Sequence, residues 1–119
     1  MNEVILMGRI CTDTTLKTTA GGNEVCSFRL AVDRRTKEKE TDFIPCVAWG
    51  QTATFISRWF AKGQLIALTG SIQSRQYEDR NGQKREDHEV RINHAEFCGA
   101  KQKEDNFEEL SVDEPLPWE

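Results

Sequence analysis

Hydrophobic and polar positions alternate along most of the first hundred residues. Residues 4–10, VILMGRI, are short and β-prone. Glu24 to Val32, EVCSFRLAV, places Cys26, Phe28, Leu30 and Val32 on one side and Ser27 and Arg29 on the other, the period of a half-buried strand. AGGN, Ala20 to Asn23, reads as the turn before it, and the charged DRRTKEKE, Asp33 to Glu40, as the loop after it. TDFIPCVAWG, Thr41 to Gly50, is a third strand. Pro45 inside it cannot donate to a ladder, so an edge position or a bulge is expected there. One segment has helical spacing: Gln51 to Gly63, with Ala53, Ile56 and Phe60 at i, i+3 and i+7, Lys62 in the last turn and Gly63 as the stop. Gln64 to Tyr77 gives a fourth strand. Asn81-Gly82 signals a hairpin, and the return strand runs from about Glu86 to Phe97. Past Gly99 the apolar pattern stops.

Three strands, a helix and two more strands is the element order of the OB-fold, a small five-stranded Greek-key barrel. The expected architecture is all-β with one helix, placed between the third and fourth strands. Residues 1–100 form the domain and residues 101–119 a short, acidic, disordered tail. A chain of 119 residues has room for one domain, and a domain of this size holds a core without metal or disulfide staples. No apolar run approaches the ~20 residues needed to cross a bilayer. The start, MNEVILMGRI, carries Glu3 and no basic region, a poor signal peptide, so a cytoplasmic location and no membrane partner are expected.

Charge changes the picture more than composition does. The net charge of −4 argues at first against a nucleic-acid partner. All 16 Lys and Arg lie in residues 1–103 beside 13 acids, whereas residues 104–119 hold seven acids and no base, so a body of +3 carries a tail of −7. Such asymmetry fits a basic-surfaced domain with an acidic interaction tail. Cys11, Cys26, Cys46 and Cys98 form no C-x-x-C pattern; Cys26 and Cys46 sit in apolar runs and read as reduced core thiols. His88 and His94 stand six residues apart with no nucleophile or acid motif around them, and no H-E-x-x-H, P-loop or G-x-S-x-G pattern occurs. Neither catalysis nor a metal or other cofactor is expected.

The third strand carries the candidate chemistry. With period 2, Phe43, Pro45, Val47 and Trp49 share one face, and the compact set Ile44, Cys46 and Ala48 shares the other, suited to a core. Tyr77 ends the fourth strand two residues after Arg75; the following hairpin adds Arg80, Lys84 and Arg85, and the DRR loop adds Arg34 and Arg35. Aromatics on one sheet face interleaved with cations make a base-stacking platform beside a groove that tracks a phosphate backbone. The alternative is that the two faces are reversed and Phe43 and Trp49 are core.

Over residues 1 to about 98 the chain resembles the bacterial single-stranded DNA-binding protein family. MNEVILMGRI is similar to that family's opening strand, GGNEVCSFRLAVDRR to its second strand and following loop, the run TDFIPCVAWGQTATFISRWFAKGQLIALTGSIQSRQYEDRNGQ to its third strand, helix, fourth strand and hairpin, and EVRINHAEF to its last strand. The resemblance implies an OB-fold, usually a homotetramer, that wraps single-stranded DNA without sequence preference. It implies a nucleoid-associated role in replication, recombination and repair, without catalysis. The family's stacking positions fall on Phe43, Trp49 and Tyr77, and its phosphate-contacting positions on Arg9, Lys17, Lys62, Arg75 and Arg85. A further family stacking aromatic falls near Arg35 and Thr36, where this loop has no aromatic, although arginine can itself stack on a base.

The tail departs from the family pattern of a long linker and an acidic tip ending in Pro-Phe. Here the linker is nearly absent and the tip is DEPLPWE. Asp113, Glu114, Pro115, Leu116, Pro117 and Trp118 are the candidate docking peptide for replication and repair proteins: prolines favour an extended backbone, Leu116 and Trp118 can fill an apolar pocket, and the acids steer toward a basic rim. The alternatives are a terminus that only adds solubility and, for the whole chain, an OB-fold RNA binder, a primosome-type protein–protein adaptor, or a nuclease.

Overall fold

The computed structural model describes residues 1–99, which form six strands and one helix: β1 (Val4–Ile10), β2 (Leu16–Thr18), β3 (Glu24–Asp33), β4 (Thr41–Trp49), α1 (Gly50–Trp59), β5 (Leu65–Glu78) and β6 (Lys84–Phe97). The sheet order is β1-β5-β6-β4-β3-β2, and a further pairing of β1 with β3 brings the sheet partly into a ring. Only β4 and β6 run parallel, at Cys46↔Val90 and Val47↔Arg91; every other pairing is antiparallel. This is the OB-fold arrangement expected from the element order. Among the described residues no helix is long and apolar enough to cross a membrane.

The strand count needs correction. The helix lies between the fourth and fifth strands, because the three-residue β2 was not expected. β1 and β2 share one edge of β3: Arg9 and Ile10 pair with Ala31 and Leu30, and Leu16 to Thr18 pair with Cys26 to Glu24. Between them the Cys11 amide donates to the Arg29 carbonyl (2.9 Å) and the Arg29 amide donates to Thr12 Oγ1 (2.9 Å). Three residues show no period, so the pairing is dictated by β3 and not by the sequence of β2 itself.

Inward positions build one core. Ile10, Cys26, Phe28, Leu30, Cys46, Ala48, Ile66, Leu68, Val90 and Ile92 are all buried, joined by Ala53 and Ile56 from α1. Pro45 pairs with Arg29, one residue before β4 joins the β6 ladder at Cys46, so it has a neighbouring strand on one side only. That is a local edge, where a missing N–H costs least. The helix ends at Trp59, one turn short of the expected Gly63, and Phe60 is extended (φ −123°, ψ 150°). Tertiary contact overrides the helical pattern here: Phe60 is 1% exposed, stacks on Phe97 at 4.7 Å and meets Phe55 edge-on at 5.7 Å. Its carbonyl accepts the Thr14 hydroxyl (2.8 Å).

The β2–β3 and β5–β6 turns are built the same way. The Thr19 amide donates to the Asn23 carbonyl and the Gly22 amide to Thr19; likewise Asp79 donates to Gln83 and Gly82 to Asp79. Gly22 (φ 86°) and Gly82 (φ 79°) take the left-handed position that this three-residue loop requires. β6 slips register between Thr69 and Gly70, leaving Asn93 opposite no partner. The bulge bends the β5–β6 ribbon. Beyond it the ribbon runs on to Glu78↔Lys84 as an exposed arm.

Candidate nucleic-acid interface

Directly paired residues in a sheet point to the same side, so register fixes which side chains share a surface. Phe43, Pro45, Val47 and Trp49 of β4 lie opposite Ala31, Arg29, Ser27 and Val25 of β3, on the face turned away from the core. Val47 continues to Arg91 of β6, and Arg91 to Ser71 of β5. From Ser71 the same face runs through Gln73 and Arg75 to Tyr77. The three aromatics therefore stand on one outer face, Phe43 56% exposed, Tyr77 43% exposed and Trp49 half-buried.

Cations lie in the same lateral rows. Lys17 pairs with Val25, which pairs with Trp49; Arg9 pairs with Ala31, which pairs with Phe43. Each aromatic of β4 thus has a base two strands away, about 10 Å at normal strand spacing. β2, the strand that was not expected, is what places Lys17. Across from Tyr77 stands Arg85 of the return strand. Arg75 lies over the Tyr77 ring at 5.6 Å from its centroid.

The expected phosphate-contacting residues differ in what holds them. Lys17, Arg35, Lys62 and Arg75 are exposed. Arg9 donates to the Gly63 carbonyl at 2.7 Å, in the turn before β5 that also carries the exposed Lys62. Arg34 donates to Asp42 at 3.0 Å and to Glu40 at 2.8 Å, which raises its pKa and holds the Asp42 carboxyl below its ordinary range. Arg85 donates to Asp79 at 3.0 Å, and Asp79 also accepts the Asn81 and Gln83 amides; the Arg85 guanidinium first, then those amides, hold the Asp79 carboxyl low. Arg34 and Arg85 so stiffen the loop and the arm while their charge is partly neutralised. The candidate docking residues Asp113, Glu114, Pro115, Leu116, Pro117 and Trp118 lie outside the described residues.

Two cations of this face, the exposed Arg29 opposite Pro45 and Arg91, were not singled out as candidates from the sequence. Arg91 sits mid-sheet between Val47 and Ser71, with its guanidinium carbon 5.6 Å from the Trp49 ring centroid. Alternation in EVRINHAEF puts it opposite the buried Val90 and Ile92, but its closeness to Trp49 depends on the parallel β4–β6 pairing, which no local pattern reveals.

The single-strand binding protein family matches over residues 1–98. The chain belongs to that family. It is similar to single-stranded DNA-binding protein 3 of Clostridium acetobutylicum, 46% identical over 89 residues that cover 71% of this chain and 62% of the relative. Single-stranded DNA-binding protein 1 of Streptococcus pyogenes is 46% identical over 88 residues, 71% of this chain and 68% of its own length. Single-stranded DNA-binding protein 4 of Streptococcus agalactiae is 36% identical over 121 residues, 98% of this chain and 86% of its own length. The chain thus spans less than two thirds of the first of these relatives.

Proposed function

We propose that this protein binds single-stranded DNA without sequence preference, stacking bases on Phe43, Trp49 and Tyr77 and holding the backbone with Arg9, Lys17, Lys62, Arg75, Arg85 and the loop arginines Arg34 and Arg35. Its role is in replication, recombination and repair, in the cytoplasm at the nucleoid, by binding alone and with no cofactor. The observation that carries this reading is the outer face itself: three aromatics on one surface, those of β4 in lateral rows with Lys17 and Arg9. Every base has a π face, so stacking of this kind tolerates any sequence.

The binding domain is residues 1–100, and residues 101–119 recruit partner proteins through Asp113 to Trp118. Self-association, as a homotetramer, is supported by Ile5 and Met7, which are 77% and 62% exposed on the outward side of β1. Such side chains favour a protein contact over water. Sedimentation at micromolar concentration tests it, and a monomer refutes it.

The deciding experiment is tryptophan fluorescence during titration with oligo-dT, oligo-U and duplex DNA at one fixed salt concentration. Strong quenching and tightest binding with oligo-dT are expected. Preference for oligo-U or duplex refutes the reading. Deleting residues 111–119 tests the tail: DNA affinity stays the same or rises slightly while partner binding disappears. A collapse of DNA affinity refutes the docking role.

A further inference from the structure

Trp49 is half-buried at the end of β4, with Val25 of β3 beside it, so its accessible ring surface is limited. The Arg91 guanidinium lies over that ring. Arg91 is exposed, and its row neighbours Val47 and Ser71 carry no charge. Glu89, two residues back on the same face of β6, makes no ion pair with it among the described residues. Arg9, Arg34 and Arg85 are different: each is fixed by a carbonyl or a carboxylate. Among the described residues only a π face holds Arg91, and an exposed cation–π contact is weaker than a nucleobase stacked on an aromatic ring.

We propose that Arg91 is a DNA-contacting residue that covers Trp49 in the free protein and yields the ring to a base, its guanidinium moving to a neighbouring phosphate. This rests on the single-stranded DNA reading above and adds to it a residue and an exchange. The base and the guanidinium need the same ring surface, so they cannot both occupy it. A phosphate follows each base along the strand, and Arg91 stands about 8 Å from Trp49 by strand rise and spacing, a span its side chain already covers to reach the ring. The displaced cation therefore has a partner at hand, and charge-assisted contact with phosphate is stronger than the contact it leaves. The ring stays covered, and out of unproductive contacts, until a strand arrives.

The test uses the full chain with Trp59→Phe and Trp118→Phe, so that Trp49 is the one tryptophan and is excited selectively at the red edge of its absorption, apart from Tyr77. Arg91→Gln and Arg91→Lys are compared with this parent. Without DNA, Arg91→Gln makes Trp49 more accessible to acrylamide quenching. With oligo-dT, it flattens the log–log salt slope by about 0.7, so between 50 and 200 mM salt it loses affinity by a factor about 2.6 smaller than the parent does. Arg91→Lys keeps the parent slope and reports on folding of the substituted face. Equal slopes for the parent and Arg91→Gln, with the parent binding normally, overturn the phosphate contact and this inference alone. Unchanged quenching of the free protein overturns the covering of the ring. A parent that does not bind oligo-dT overturns the proposed function together with this inference.

Discussion

Gly70→Ala should cripple the fold by a route that can be followed atom by atom. A Cβ at Gly70 falls 2.1 Å from the Arg91 carbonyl oxygen, 2.9 Å from its carbonyl carbon and 3.1 Å from Ile92 Cα. All three are backbone atoms, so no rotamer change relieves the clash. Restoring ordinary contact at 3.4 Å moves β5 and β6 apart by roughly 1.3 Å, at the bulge that bends the ribbon. That breaks about two ladder hydrogen bonds at ~1 kcal/mol each and adds about 1–3 kcal/mol of overpacking. The total, about 3–5 kcal/mol, is a large fraction of the ~5–15 kcal/mol that holds a typical domain. Urea unfolding reads it as a fall in midpoint on the order of 2 M, given a slope of about 2 kcal/mol per molar. The control is Gly82→Ala, where the new Cβ meets nothing within 4 Å and only the positive φ of 79° is strained, about 1–2 kcal/mol. If Gly70→Ala unfolds at the same urea concentration as Gly82→Ala, the close approach of the strands is not what requires glycine.

Truncating Phe43, Trp49 or Tyr77 to alanine should each weaken oligo-dT binding by ~1–3 kcal/mol, by equilibrium titration, and for the exposed Phe43 and Tyr77 should leave the unfolding midpoint in place; full affinity in Trp49→Ala would remove it from the stacking set. The Asp79 carboxyl is held low chiefly by Arg85, so the order it gives the hairpin tip is complete above the unfolded value of ~3.9 and is lost as pH falls through the lower folded midpoint. Amide shifts of Asn81 and Gln83 should report that midpoint below ~3.9, and a midpoint at or above it would break the link to Arg85. Burial, with a lesser contribution from Glu89, pushes the Cys46 thiol up to about 12, and burial raises Cys26 as well, so neither supplies thiolate near pH 8. Iodoacetamide followed by mass spectrometry should label the half-exposed Cys11 first and reach Cys26 and Cys46 only on unfolding; early labelling of Cys46 would contradict its place in the core.

Period and turn chemistry made most of the fold legible. Cys26, Phe28 and Leu30 alternate inward as their spacing demands, and Asn81-Gly82 and the AGGN segment mark the β5–β6 and β2–β3 hairpins. What stayed hidden was set by distant partners. β2 forms because β3 offers an edge, not because Leu16, Lys17 and Thr18 show a pattern. The helix stops at Trp59 because Phe60 is claimed by Phe97, almost forty residues on. The site divides the same way. Phe43 and Trp49 share a face by local alternation, whereas the rows that put Lys17 beside Trp49 and Arg9 beside Phe43 exist only through long-range register.

That division has a consequence for how this sheet can change. Along β3 and β4 the inward residues carry the core and the outward ones the candidate DNA contacts, so a substitution on one side leaves the other almost untouched. The arginine-for-aromatic difference near Arg35 sits in a loop, where it costs the core nothing. The separation fails at the β5–β6 bulge. There the Arg91 backbone closes on Gly70 from one side while its side chain covers Trp49 on the other. A shift of that backbone to admit a methyl group would move the guanidinium as well. Stability and the covering of Trp49 are therefore coupled through residue 91. A stabilised Gly70 variant, recovered by second-site substitution, should regain its unfolding midpoint before it regains the parent quenching of Trp49 by acrylamide. If both return together, the backbone at Arg91 does not set the position of its side chain.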